Sequence, residues 1–162
     1  MENIRERGYK DCEILPYALN DTEGTRTFLV SGSDSMAGSL TDRRRVAGDK
    51  ISEIEVECRR LSLFLQEPVH FLKLDIEGSE DAVLSEAGEL LQNIQHIFCE
   101  YHHGGGLKHE RLAIILTVLE KAGFDTLVGK SFSTQIGSSY RPMSFVDRPY
   151  SAVIWAKNRN WR

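Results

Sequence analysis

Long apolar runs and concentrated positive charge are both missing from this 162-residue sequence. No stretch approaches the roughly 18 apolar residues that a membrane helix requires, and residues 1–7 lack the apolar segment of a secretory signal. The 20 Lys and Arg residues are scattered and are outnumbered by 24 Asp and Glu residues, for a formal net charge of -4. Phosphate binding needs clustered positive charge. We therefore predict neither a membrane nor a nucleic-acid partner, and favour a small neutral or cationic ligand.

Cysteine is also scarce, with Cys12, Cys58 and Cys99 as the only three. They are odd in number, widely spaced and set in apolar or strand-like surroundings. This pattern favours buried thiols over disulfides. A reducing cytoplasm is the predicted location.

The length and the 41% hydrophobic content suit one domain with one core, which we take as residues 1–162. Alternating apolar patterns predict strands, and apolar positions at helical spacing predict helices. The predicted strands are 12–19, 25–31, 51–59, 71–76, 94–101, 124–128 and 151–156. One predicted helix begins after Ser79, and a second spans 107–122. A short helical turn is expected at 61–66 and an exposed loop at 32–50. The pattern indicates an α/β sheet, whose ligands bind at the carboxyl ends of the strands.

The segment from Lys73 to Glu80 carries the most chemical information. On a strand covered on both faces, Lys73 and Asp75 point to the same side and would be buried together. Burying either charge alone is costly, so one interpretation is a structural ion pair, with Glu77 facing solvent. The following Ser79 is expected to cap a helix. From these residues alone, the structural and the functional interpretations are equally open.

The spacing Lys-x-Asp-x-Glu-Gly-x-Glu at Lys73 to Glu80, followed by an apolar helix and a strand ending in Glu100-x-His102, resembles the signature of FkbM methyltransferases. Weaker similarities in the same order lie at 3–5, 18–21 with Gly24, and 38–40. The resemblance covers about residues 1–125. It implies a Rossmann-like class I methyltransferase sheet.

The resemblance also implies an activity, the transfer of a methyl group from S-adenosylmethionine to a hydroxyl of a small molecule or sugar. Asp75, Glu100 and His102 match the positions expected to be catalytic. Asp75 would lie near the methionine portion of the cofactor. Tyr17, Ala18 and Leu19 match the strand end expected near the adenine.

Several simpler interpretations remain open for the histidines and glycines. Glu100 and His102 could hydrogen-bond each other to finish a strand, and His103 and His109 are expected to face solvent. Residues 104–106, three consecutive glycines, favour a flexible active-site loop because they match no phosphate-binding motif.

A divalent metal site could be assembled from Asp75, Glu77, Glu100 and His102. The motif does not itself require a metal, so we predict none. A metal-dependent or nucleotide-binding enzyme on a similar sheet is kept as an alternative.

The sequence departs from the implied family pattern at its beginning. No Gly-x-Gly turn follows an apolar strand, and the chain opens where the helix before the third strand would lie. About 60 residues would be absent, at about 30 per strand-helix unit. We therefore expect a sheet without its first two strand-helix units, an unpaired first strand, and a domain that is incomplete as a catalyst. A second copy or a companion chain could complete it, the edge strand could be rearranged, or the sequence could be a fragment. A non-catalytic interaction module is the rival interpretation.

Overall fold

A computed structural model describes residues 8, 10–31, 40, 51–103, 111–130 and 150–161. These residues form seven strands, two α-helices and two short 3₁₀ helices. The strands are β1 (Ala18–Leu19), β2 (Gly24–Ser31), β3 (Ile51–Arg59), β4 (Val69–Leu74), β5 (Ile94–His103), β6 (Phe124–Lys130) and β7 (Tyr150–Asn158). The helices are α1 (Glu80–Ala87) and α2 (Arg111–Lys121), and the 3₁₀ helices are Leu61–Phe64 and Gly88–Asn93.

The larger sheet has the strand order β4-β5-β7-β6. Strands β4 and β5 are parallel, with Leu74 opposite Cys99, whereas β7 runs antiparallel to both β5 and β6. The two parallel strands therefore bring their carboxyl ends to one edge of the sheet. Since α1 connects them, they form a strand-helix-strand unit.

The smaller sheet has the order β1-β3-β2. The predicted strand at 12–19 is reduced to Ala18–Leu19, which pairs in parallel with Cys58 and Arg59 of β3. The first strand is thus not unpaired, contrary to the prediction. On its other side, β3 pairs antiparallel with β2 over the full length of β2.

The main core lies on one face of the larger sheet. Alternate residues of β5 and β7, among them Ile97, Cys99 and Ile154, pack there against apolar residues of the two helices, including Leu84 and Leu119. Helix α2 ends where Gly123 takes a φ of 90°, a conformation that glycine adopts without steric cost, as the sequence predicts.

The opposite face of the larger sheet is not covered by any element of the described residues, and we call it the open face. It presents Phe71, Phe98, Trp155 and Leu127 from four successive strands, and Phe98 and Trp155 meet edge to face with ring centroids 4.6 Å apart. The prediction that β4 is covered on both faces is therefore wrong for the described part of the chain.

All three cysteines are free. Cys58 and Cys99 are buried, as predicted, but Cys12 is exposed and lies before β1 in a segment that is neither helix nor strand. Within the described ranges, none of the helices has the length and apolar character needed to cross a membrane. The predicted loop at 32–50, apart from residue 40, and the glycines at 104–106 lie outside the described residues.

Candidate active site at the carboxyl ends of two parallel strands

Three carboxylates surround one imidazole nitrogen where β4 and β5 end. The Nε2 atom of His102 lies 3.8 Å from Asp75 Oδ1, 3.7 Å from Glu77 Oε1 and 3.8 Å from Glu100 Oε1. Asp75 and Glu77 follow β4, whereas Glu100 and His102 are among the last residues of β5. The parallel pairing therefore assembles four residues that are up to 27 positions apart in the chain. We call them the carboxylate cluster.

The buried Glu80 fixes the orientation of His102. Its side chain is only 1% exposed, and its Oε1 accepts hydrogen bonds from the Gly78 amide and from His102 Nδ1, both at 2.9 Å. Because Oε1 already accepts the Gly78 N–H, we assign the shared imidazole proton to Nδ1. With Nδ1 bonded to Glu80, the ring points Nε2 toward the carboxylates of the cluster.

Sequence reasoning missed this role of Glu80. It assigned the helix cap to Ser79, but Ser79 makes no capping hydrogen bond through its side chain. The available signal was the final Glu of the Lys73–Glu80 motif. Its partner, His102, is 22 residues away, and only the fold shows that the two meet.

The turn between β4 and α1 directs Glu77 into the cluster. Glu77 has a φ of 57° and Gly78 a φ of 111°, so two successive residues take left-handed backbone conformations. Such a conformation is unfavourable for a residue with a side chain, and residues of this kind are concentrated at functional sites. The interpretation that Glu77 merely faces solvent is wrong, since its side chain is 19% exposed and lies against His102.

The predicted ion pair between Lys73 and Asp75 exists, but it is not buried. Lys73 Nζ lies 2.9 Å from Asp75 Oδ2, with the Lys73 side chain 60% exposed on the open face. Asp75 thus uses one oxygen for Lys73 and turns the other toward His102. An exposed pair of this kind contributes about 0 to 1 kcal/mol, so it gives no structural reason for an aspartate at this position.

The other predicted cofactor residues lie on the smaller sheet. The Arg59 guanidinium sits 5.0 Å from the centroid of the Tyr17 ring and also pairs with Glu57. The charge of Glu57 raises the pKa of Arg59 further above its usual value. Ala18 and Leu19 form β1, and Leu19 packs against the main core. No hydrogen bond or ion pair between these three residues and the carboxylate cluster is present in the described part of the chain.

Two further expectations about the histidines fail. Glu100 and His102 do not hydrogen-bond each other, because their closest atoms are 3.8 Å apart and His102 bonds to Glu80 instead. His103 is buried rather than solvent-facing, with its Nδ1 3.3 Å from the Tyr101 hydroxyl on the helix-covered face. His109 lies outside the described residues.

A buried thiol lies directly beneath the cluster. Burial raises the pKa of Cys99 far above its usual value, and the charge of Glu80 raises it further. Cys99 is therefore a neutral core side chain at neutral pH. It is not a nucleophile.

The model of one protein family, the methyltransferase FkbM domain, matches residues 4–126. The chain belongs to the FkbM methyltransferase family. The match contains the Lys73–Glu80 motif and both Glu100 and His102, so the whole carboxylate cluster lies inside the FkbM domain, as the resemblance predicted. Neither a curated protein nor a solved structure matches the chain. The chemistry of the chain is therefore inferred from its family and from the geometry of the cluster.

Proposed function

We propose that this FkbM domain is an S-adenosylmethionine-dependent O-methyltransferase acting on a hydroxyl of a small molecule or sugar. The observation that carries the proposal is the carboxylate cluster, which lies at the carboxyl ends of β4 and β5 in a chain of a methyltransferase family. Ligands of open α/β sheets bind at this edge. The cluster also supplies the basic groups that removal of a hydroxyl proton requires.

The described residues fit the sulfonium end of this cofactor. S-adenosylmethionine, when bound, supplies a methyl group on a positively charged sulfur, and the cluster offers the carboxylates of Asp75, Glu77 and Glu100 at one sheet edge. Opposite charge favours that placement. The fit at the adenine end is poorer on one side, because Arg59 already covers one face of the Tyr17 ring. An adenine near Tyr17 would use the other face or displace Arg59.

We assign the roles within the cluster from the positions of its members. Asp75 stands at the open end of β4 and positions the acceptor hydroxyl. Glu100 lies on the neighbouring strand and takes the hydroxyl proton on its carboxylate as the oxygen gains the methyl group. Glu80 fixes the ring of His102 beside both carboxylates. Removal of one such proton acceptor typically lowers a rate by about 10² to 10⁴.

The test of cofactor use is a titration followed by amide nuclear magnetic resonance at up to millimolar S-adenosylmethionine. We expect chemical shift changes at residues 75–78 and 100–102, with weak affinity, because the sequence contains no Gly-x-Gly turn after a strand. S-adenosylhomocysteine lacks the sulfonium charge and should bind more weakly at this edge. Shift changes confined to other parts of the chain, or none at millimolar concentration, would overturn the proposal.

The test of the reaction uses S-adenosylmethionine with a radiolabelled methyl group and a panel of sugars and hydroxylated small molecules. We expect label in an ether product from at least one acceptor. The matching Glu100→Gln variant should retain the shift changes and lose transfer by about 10² or more. Equal transfer by the two proteins would remove Glu100 from its assigned role.

The location and the partners extend the same proposal. Two of the three thiols are buried and free, which agrees with a reducing compartment such as the cytoplasm. The acceptor is the small-molecule partner.

A further inference from the structure

The Nε2 atom of His102 has no hydrogen-bond partner in the described part of the chain, although the side chain is only 4% exposed. Its other nitrogen is already bonded to Glu80. A buried polar atom is almost always hydrogen-bonded, so one that is not bonded calls for an explanation. The atoms nearest to Nε2 are carboxylate oxygens, which cannot donate a hydrogen bond to it when ionised.

From this convergence of electron-rich atoms we infer that Asp75, Glu77 and His102 bind a first-row divalent cation. The donor atoms Asp75 Oδ1, Glu77 Oε1 and His102 Nε2 all lie within 4.8 Å of one another. Two ligands of one ion with bonds of about 2.1 Å are about 3.0 Å apart when adjacent and about 4.2 Å apart when opposite. The separations of 3.7 and 3.8 Å from Nε2 lie between these two values, whereas the 4.8 Å that bounds the whole set exceeds the larger one. Binding one ion therefore requires the two carboxylates to shift toward each other.

The surroundings of His102 match those of a metal-binding histidine. Such histidines donate their second ring N–H to a carboxylate or carbonyl, which fixes the ring and makes the ligating nitrogen more basic. Glu80 occupies this position, at 2.9 Å from Nδ1. Glu80 is in turn held by the Gly78 amide, so both the ligand and its support are fixed by the β4–α1 turn.

The ligand set selects the kind of ion. Two carboxylates and one imidazole suit Mn²⁺, Fe²⁺, Co²⁺ or Zn²⁺ better than Mg²⁺ or Ca²⁺, which prefer oxygen alone. Lys73 does not fill the site, since it bonds the outer oxygen of Asp75 and is mostly exposed. The sequence analysis considered Asp75, Glu77, Glu100 and His102 as a metal site and predicted none, because the motif does not itself require a metal.

The role of the ion rests on the proposed function, whereas the site itself does not. A cation bound to the acceptor oxygen would lower the pKa of the hydroxyl, and the proton would pass to Glu100. The ion would bind the oxygen, and no electron would be transferred. With the cation on the oxygen, a weak base such as the Glu100 carboxylate would be enough to take the proton.

The experiment measures Mn²⁺ binding to the chain without cofactor or acceptor, by electron paramagnetic resonance of free Mn²⁺. We expect one ion per chain, and a Kd raised at least about tenfold in Glu77→Gln, which removes one charged ligand. Glu89→Gln removes the same charge from an exposed residue near the opposite end of β5, and should leave the Kd unchanged. Because His102→Gln could unfold the chain, the ligation by His102 is tested in the unmodified protein. Zn²⁺ should shift the ¹⁵N resonance of His102 Nε2 and leave Nδ1 protonated.

Three results would overturn the inference. They are no Mn²⁺ binding below about 1 mM, equal loss of affinity in Glu77→Gln and Glu89→Gln, and no shift of Nε2 with Zn²⁺. None of these measurements involves methyl transfer. A chain that binds Mn²⁺ but shows no response to S-adenosylmethionine would therefore refute the proposed function alone.

Discussion

Glu80 accepts its two hydrogen bonds in a buried position, so water cannot replace it when its side chain is removed. In Glu80→Ala, the Gly78 amide and His102 Nδ1 both lose their acceptor. A buried donor left unsatisfied costs about 1 to 3 kcal/mol. We expect the free energy of unfolding to fall by about 2 to 4 kcal/mol, measured by urea denaturation.

The control for this prediction is Glu80→Gln. Its amide oxygen can accept both hydrogen bonds, so a loss of about 1 kcal/mol or less is expected. An alanine variant as stable as the glutamine variant would show that the Glu80 acceptor does not support the turn.

Substitution of Asp75 distinguishes a structural role of this residue from a functional one. Its pair with Lys73 is exposed, so Asp75→Asn should change the free energy of unfolding by about 1 kcal/mol or less. Methyl transfer should fall by about 10² or more, because Asp75 positions the acceptor. The denaturant midpoint and the transfer rate are measured on the same protein. A large loss of stability with unchanged transfer per folded molecule would contradict the assignment.

Glu77 combines an unfavourable backbone conformation with a place in the cluster. Its left-handed φ of 57° costs a residue with a side chain about 1 to 2 kcal/mol relative to glycine. Glu77→Gly and Glu77→Ala both remove the carboxylate, but only glycine relieves the backbone. We expect the glycine variant to be the more stable of the two by about 1 kcal/mol in thermal unfolding, and both to lose Mn²⁺ affinity. Equal stability would mean that the turn carries no such strain.

At the scale of elements, an ion pair joins the two helices. Arg111, the first described residue of α2, donates from both Nε and an Nη atom to the two carboxylate oxygens of Asp81 in α1. Burial lowers the pKa of Arg111, but the hydrogen bonds and charge of Asp81 outweigh it and leave the pKa above its usual value. Both side chains are mostly buried, so the pair is sheltered from solvent screening.

We predict that the Arg111–Asp81 pair depends on its hydrogen-bond geometry as well as on its charge. Arg111→Lys keeps the charge but loses the paired hydrogen bonds, and should cost about 1 to 2 kcal/mol. A double-mutant cycle of Arg111→Lys with Asp81→Asn should give a coupling energy of about 1 to 3 kcal/mol. A coupling near zero would show that the helices are held by apolar packing alone.

The sequence predicted elements well where the local pattern decides the structure. Strand β3 has the predicted bounds. The alternation of apolar and polar residues along 51–59 is a local pattern, and it needs only one neighbouring strand on each side. The first strand shrank from eight residues to two, because only Ala18 and Leu19 pair with β3, although β3 extends back to Ile51.

Two features of the site were missed because they do not follow from a local pattern. The sequence identified Asp75, Glu100 and His102 as candidates and brought them to one edge by strand pairing. It could not show that Glu80 bonds His102 or that Glu77 turns inward, because both depend on a left-handed turn and on the register of β4 against β5. Residue type alone does not specify either.

At the scale of the whole molecule, the described residues cover one face of the larger sheet and leave the other exposed, and this asymmetry bears on assembly. Within the described residues, β4 pairs only with β5, so its other edge has no strand beside it. The open face beside that edge carries Phe71, Phe98, Trp155 and Leu127. An apolar patch next to an open edge is typical of an interaction surface.

We predict that two copies associate through this face. Lys157 and Asp125 lie beside each other at its rim, so a two-fold arrangement can bring opposite charges together without burying a single sign. Leu127 is 68% exposed and lies on the open face, whereas Ile114 is 40% exposed and lies on α2. Leu127→Glu should therefore raise the dimer dissociation constant at least about tenfold in sedimentation equilibrium, because a buried charge opposes association. Ile114→Glu places the same charge on an exposed apolar position of α2 and should leave the constant unchanged. A chain that stays monomeric at several hundred micromolar, or one in which both variants dissociate equally, would show that this face does not join two copies.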